Sequence, residues 1–174
     1  MDSFIWRNPF FFTPNKFYMR KIIRIIVIVF LAAFVVIQFF QPEKNLETNA
    51  SNHIFQKEQI PENIKSILQN ACLDCHSNQT NYLWYHKIAP VSWMVDHHVD
   101  EGKRELNLSN WGEMDAFDKI GDLEKICREV ERKKMPIKSY TSMHKKAKLS
   151  EEQVAELCAW SEKLSYELLA KIEN

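Results

Sequence analysis

Five consecutive residues, Cys72-Leu73-Asp74-Cys75-His76, carry the most specific chemistry in the chain. Cys-x-x-Cys-His is the spacing that attaches a c-type haem. Two thiols three residues apart lie on one side of a helical turn, so each can add to one of the two vinyl groups of a haem laid against that turn. The imidazole that follows directly then reaches the iron as a fixed axial ligand. No other side chain forms the thioether, so both cysteines are needed. On this reading Cys72 and Cys75 hold one haem c covalently and His76 is its proximal ligand.

A distal ligand is expected downstream. Residues 114–134 have a helical pattern, with apolar positions at Phe117, Ile120, Leu123, Ile126, Cys127 and Val130. Arg132-Lys133-Lys134 suits a helix C-terminus. Pro136 then drives Met135 out of the helical region, and an extended methionine can aim its thioether at a metal. The plain alternative is a gap-filling methionine. His98, on a predicted helix over 91–106, is the reserve distal candidate, and His144 stands behind it. Trp84 and Trp93 belong to an aromatic cluster with Tyr82 and Tyr85; they are candidates for the haem-pocket wall, against a reading as ordinary aromatic core. Tyr140 is placed to hydrogen-bond a haem propionate. The Ala89-Pro90 region is expected to supply the backbone carbonyl that orients His76.

The same cysteines admit other chemistry. Cys72 and Cys75 have the spacing of a thiol–disulfide pair, but such pairs sit in a βαβ context, and no run here alternates as a strand does. A zinc site lacks a second close ligand pair. Cys127 and Cys158 fall on apolar helix faces; the reading adopted is free, buried thiols, with a disulfide stapling two helices as the alternative in an exported protein.

The elements that must position these residues are helical. Only three glycines occur among 174 residues, and the apolar spacing is that of helices, so the expected fold is all-α. Ile60, Ile64, Ile67, Leu68 and Ala71 share one face of a helix that runs into Cys72. Ser150-Glu151-Glu152-Gln153 is a capping box. It opens a last helix with a stripe at Val154, Leu157, Cys158, Leu164, Leu168 and Ile172.

Charge is balanced, with 23 basic and 23 acidic residues. The distribution is uneven: residues 1–41 carry +4 and the remainder −4. After position 41 basic and acidic groups are interspersed, which excludes a nucleic-acid stripe and favours basic partner surfaces. Ile22 to Phe40 reads as a single transmembrane helix. Lys16, Arg20, Lys21 and Arg24 precede or open it and keep the amino end cytoplasmic. No small-residue cleavage site follows. The expected organisation is a cytoplasmic segment at 1–21, a transmembrane anchor at 22–40 in the cytoplasmic (inner) membrane, a polar tether at 41–58 and a haem-binding domain at 59–174 in the periplasm. The aromatics Phe4, Trp6, Phe10, Phe11 and Phe12 suit a membrane interface, and Met19 offers an alternative start.

A helix delivering Cys72-x-x-Cys75-His76, a Met-Pro about sixty residues on, and a capped last helix bearing Trp160 form an order that resembles class I c-type cytochromes. That resemblance implies first and last helices that cross, with Trp160 at the contact. A longer set of residues is similar to the small bacterial haem-binding domain family, over about residues 58–165. The set is His76-Ser77-Asn78-Gln79-Thr80, Tyr82, Trp84-Tyr85, Ile88-Ala89-Pro90-Val91-Ser92-Trp93, His98-Val99-Asp100-Glu101-Gly102, Leu106-Asn107, Trp111, Met135-Pro136 and Tyr140. In that family a proline commonly precedes the tryptophan at 84, where this chain has Leu83. The resemblance implies haem binding and names neither reaction nor partner. The expected function is single-electron transfer with redox partner proteins, not enzymatic turnover. The alternative is a haem sensor or catalytic haem subunit with an open sixth position. Because haem would form much of the core, a haem-free domain of low stability is expected.

Overall fold

A computed structural model describes residues 16–47 and 51–173 of the chain. These residues form seven α-helices: α1 (Lys16–Ile37), α2 (Ile54–Lys57), α3 (Glu62–Ala71), α4 (Val91–Glu105), α5 (Ala116–Glu131), α6 (Lys138–Met143) and α7 (Glu151–Ile172). Short 3-10 turns lie at Trp84–Lys87, Trp111–Glu113 and Lys145–Ala147. Among the described residues the only strand-like pairing is the isolated bridge between Leu46 and Gln79. The all-α expectation holds. Two compact units divide between Gln41 and Pro42.

The first unit is α1, which buries none of its residues. Among the described residues no helix is long and apolar enough to cross a membrane, which corrects the expectation of a transmembrane span over 22–40. The reason lies in where the charges and the helix end fall. Arg20, Lys21 and Arg24 occupy the early turns, and the helix stops at Ile37 with Gln38 and Phe39 in a turn. Its charge-free part, residues 25–37, rises only about 20 Å at 1.5 Å per residue, against a hydrocarbon layer of about 30 Å. The aromatics at Phe4, Trp6 and Phe10 to Phe12 lie outside the described residues.

The second unit surrounds one core. Ile64 and Leu68 of α3 meet Leu123 and Val130 of α5 and Leu157 and Leu164 of α7. Each such side chain contributes about 1.5–3 kcal/mol by leaving water. Trp111 is fully buried, and its indole donates to Glu58 Oε1 at 2.9 Å. α3 packs on α7, where Asn63 donates to Glu156 Oε2 at 3.0 Å. Trp160 is buried and lines the groove between these helices with Pro61 and Ile64. The capping box of α7 is made as the sequence predicts: Ser150 accepts from the Gln153 backbone and Gln153 accepts in return.

Two expectations are corrected in this unit. Cys127 and Cys158 are not free thiols; they form a disulfide with Cα atoms 4.8 Å apart. α5 and α7 pack along their lengths, and that packing sets the two positions opposite one another. Closing this loop is worth about 3–4 kcal/mol on the chain-entropy account. The second correction concerns the tether at 41–58, part of which is packed structure. Ile54 is 0 % exposed, and its N–H donates to Leu108 O at 2.9 Å. Asn45 donates from Nδ2 to Ser77 O at 2.8 Å, and its Oδ1 accepts from Lys103 at 3.0 Å. One isoleucine and a few amides anchor a segment whose composition is that of a linker.

Two histidines brace the chain as hydrogen-bond acceptors. His53 Nδ1 accepts from Phe55 N–H at 3.2 Å and caps α2. His86 Nδ1 accepts from Leu83 N–H at 3.1 Å. Burial lowers the pKa of both, and the nearby His144 lowers that of His86 further. Protonation removes the Nδ1 lone pair and so opposes the fold. A histidine with a depressed folded-state pKa contributes its full stability above the unfolded value, about 6.5, and loses it as pH falls through that value. The haem-free chain should therefore melt at lower temperature at pH 5.5 than at pH 7.5. His86→Gln should flatten that dependence, and a melting temperature that does not fall on acidification would contradict the assignment.

Candidate functional site

The chemistry of residues 72–76 is set by the end of α3. Cys72 caps this helix, its N–H donating to Leu68 O at 2.9 Å. The chain then makes one more turn, in which His76 N–H donates to Cys72 O at 2.9 Å and Cys75 N–H to the same carbonyl at 3.1 Å. Helix-like spacing therefore continues through the motif, and both sulfurs and the imidazole reach one cavity.

His76 is oriented from behind. Its Nδ1 lies 3.1 Å from Leu106 O. A carbonyl only accepts, so the proton sits on Nδ1 and the Nε2 lone pair is free for a ligand. Burial holds the imidazole below its ordinary pKa, with the backbone carbonyls of Leu106 and Gly102 opposing in part. The ring is therefore neutral at pH 7 and ready to coordinate. The orienting carbonyl is that of Leu106, not the Ala89-Pro90 region. The peptide carbonyl of His76 also accepts from Leu108 N–H at 2.9 Å, so two residues of the 106–108 segment grip one side chain and its backbone.

Residues 77–80 are braced by amides. Asn78 N–H donates to Ser109 Oγ at 3.0 Å, and Asn107 Nδ2 donates to Asn78 Oδ1 at 2.7 Å. Thr80 Oγ1 donates to Asp74 O at 2.6 Å. The Asp74 carboxylate accepts from Tyr140 OH at 2.7 Å and from Asn81 N–H at 3.1 Å.

The cavity, of about 370 Å³, is lined by Cys72, Cys75, His76, Met135, His98 and Tyr140. Its walls are otherwise mostly apolar: Leu68, Ala71, Leu106 and Leu108 on one side, Ile126, Val130 and Ile137 on the other. A second cavity of about 330 Å³ shares Cys75, His98, Ile137 and Tyr140 with the first. Glu105 and Lys125, both on the rim, pair across it from α4 and α5. α5 ends in a left-handed turn at Lys133, φ 55°. Lys133 N–H donates to Val130 O, and the N–H groups of Lys134 and Met135 both donate to Glu129 O. This closure of the helix end turns the chain back and brings Met135 to the cavity, where it is 39 % exposed.

Trp84 and Trp93 do not line either cavity. Trp84 is 71 % exposed, and its neighbour Tyr85 faces the second cavity instead. On α4 the inward positions are Met94, His98, Gly102 and Glu105. Trp93 is one residue, about 100°, away from that face. Tyr140 lines the cavity, but its hydroxyl is committed to Asp74 rather than left for a propionate. His144 is withdrawn as a ligand: its Nε2 is 2.6 Å from Tyr85 OH and its ring stacks on Tyr140 at 4.0 Å.

The surroundings of the two thiols disfavour their ionised forms. Burial and the nearby Cys75 push Cys72 up to about 12, and burial and Asp74 push Cys75 up to about 11. Thiol–disulfide catalysts need the opposite shift. Two protonated thiols, an imidazole with a free Nε2, a thioether and apolar walls are the donor set and lining that fit a haem.

The model of the haem-binding domain family matches residues 32–163. The chain belongs to this family. No curated protein and no solved structure matches it.

The residue that sequence reasoning missed as part of this haem site is Gly102. A Cβ there would stand 2.6 Å from Cys75 O and 3.1 Å from Cys75 Cβ. α4 therefore rests its backbone directly on the motif. The signal was partial: two of the chain's three glycines lie inside helices, where glycine costs about 1 kcal/mol relative to alanine, and of these Gly102 meets backbone while Gly121 faces open space. Gly102→Ala meets backbone rather than a flexible side chain, so α4 must lift. A loss of about 1–3 kcal/mol and reduced haem incorporation are expected, read by denaturant unfolding and haem absorbance per chain. Unchanged incorporation and stability would show that α4 does not rest on the motif.

Proposed function

We propose that the second unit is a monohaem c-type cytochrome that carries single electrons. The observation that supports this most strongly is the convergence of both motif thiols, an oriented His76 imidazole and the Met135 thioether on one largely apolar cavity. The residues that would hold the haem are Cys72 and Cys75 through their sulfurs, His76 through Nε2 and Met135 through Sδ, with His98 in reserve. When bound, haem supplies a one-electron couple, and a methionine ligand raises its potential. The apolar walls exclude water from the iron, and the Asp74–Tyr140 hydrogen bond ties α6 to the motif turn. With His76 and Met135 both committed to the haem, the chain would carry electrons between redox partner proteins rather than transform a substrate.

Haem-stained gels and absorption spectra of the full chain test this. Cys72→Ala with Cys75→Ala should abolish covalent staining; retained stain would refute covalent attachment through this motif. Met135→Ala should convert a low-spin spectrum to high-spin and open the reduced protein to carbon monoxide. An unchanged spectrum transfers the distal role to His98. Carbon monoxide binding by the unsubstituted protein would favour a sensor or catalytic haem with a labile sixth position.

The proposed location is the periplasmic face of the inner membrane, with attachment through residues 17–40. α1 exposes apolar side chains round its whole circumference, and Phe39 and Phe40 continue them. Such a surface is driven out of water. The Cys127–Cys158 disulfide fits an oxidising compartment. The chain should remain with membranes after high-salt washing, because the attachment is apolar, and be digested by protease added to spheroplasts. Release into the wash, or protection from the protease, would overturn the location.

A further inference from the structure

The domain's charge is segregated in a way that its sum conceals. Residues 132–148 contain seven basic groups and no acidic one. The rest of 42–174 holds eleven basic and twenty-two acidic groups, a net charge of −11 against +7. The interspersion read from the sequence therefore does not extend to this segment. Arg132, Lys133 and Lys134 follow the end of α5; Lys138 opens α6; Lys145, Lys146 and Lys148 lie in and after the next 3-10 turn. All seven are exposed. Only Lys134 has an ion-pair partner among the described residues, Glu129 at 4.0 Å.

This strap also supplies part of the cavity wall. Lys134 and Lys138 bracket Met135, Pro136 and Ile137, and all three of those residues line it. The helix closure at Lys133 carries a second signal. A lysine there adopts the left-handed backbone that glycine takes at lower cost. α4 and α5 bring Glu101, Glu105, Asp122 and Glu129 to the lining, with Glu105 held by Lys125 and Glu129 by Arg128 and Lys134. The strap itself carries no acidic residue, so its own surface is positive while the helices beside it are mixed.

We infer that the basic strap at 132–148 is the docking surface for an acidic face on the redox partner protein, set beside the haem edge. This rests on the electron-transfer reading of the same site, and it reverses the preference for basic partners that net charge alone implies. Six cations without an ion-pair partner among the described residues, on the segment that carries Met135 to the cavity, suit steering: patches of one sign raise association rates by about 10 to 10³ and lose that gain in salt. Because the patch borders the cavity, a partner drawn to it arrives at the group from which an electron would leave.

The test uses the full haem-loaded chain in nanodiscs. Ferricyanide, a trianion, accepts one electron and becomes ferrocyanide as ferrous haem becomes ferric; hexaammineruthenium(III) is the cationic counterpart. The ferricyanide rate should fall on the order of tenfold with added salt, and the ruthenium rate should not fall. A ferricyanide rate that rises with salt, as the domain's net −4 dictates, would overturn the proposal. Lys134→Glu with Lys138→Glu should invert the preference, whereas Lys163→Glu with Lys171→Glu, on the second half of α7, should leave it unchanged.

A labelled polyglutamate peptide gives a readout independent of electron transfer. It should bind the full chain in discs of neutral and of anionic lipid alike, and the strap substitutions should remove that binding. Binding lost in anionic discs would mean that the strap lies on the lipid surface, and would overturn a protein partner. Haem-stained chain that ignores the peptide defeats the docking inference alone. Chain without haem that still binds the peptide defeats the electron-transfer reading while the acidic-ligand surface stands.

Discussion

The hydrogen bond from His76 Nδ1 to Leu106 O is the constraint on which the rest of the site depends. It fixes the tautomer, and so decides which nitrogen can bind a metal. It also demands that a carbonyl thirty residues away be delivered to within hydrogen-bond distance. α4 makes that delivery. The helix ends at Glu105, and Leu106 is the first residue beyond it. Its position along the motif is set where Gly102 meets Cys75 backbone to backbone. The amide network of Asn78, Asn107 and Ser109 then locks the other side of the turn. A helix, a glycine and three polar side chains thus serve the aim of one imidazole.

What was legible in the sequence was local. The motif, the face of α3 that leads into it, the capping box of α7 and the Met-Pro at the end of α5 depend on neighbours within about four residues, and periodicity reports such neighbours well. What was not legible depends on distant partners. The carbonyl behind His76 could not be found because spacing says nothing of which loop folds back. The disulfide followed from the packing of α5 on α7, which neither helix announces alone. Ile54 looked like part of a linker because a single buried residue leaves no period. Trp93 was one position from the inward face of α4, a difference that only the register resolves. The basic strap was concealed by averaging charge over a whole domain.

The site also divides the burden of stability. α3, α5 and α7 share a core of ordinary aliphatic side chains. α4 and α6 lean on the cavity instead, and their inward faces meet an opening rather than each other. Binding a large apolar group there removes those faces from water and shifts folding by mass action. Leu68 and Val130 belong to both the core and the cavity wall, so the two parts of the domain are joined through the side chains they share.

The burial of Cys72 and Cys75 has a consequence for how the chain matures. Four cysteines must reach two different fates: Cys127 and Cys158 oxidise to one another, and the motif pair must keep its hydrogens. Oxidation by disulfide exchange runs through the thiolate. Desolvation at the cavity wall disfavours that form at both motif cysteines. The packing of α5 on α7, by contrast, holds Cys127 and Cys158 side by side, so the fold favours one pairing and slows exchange at the other.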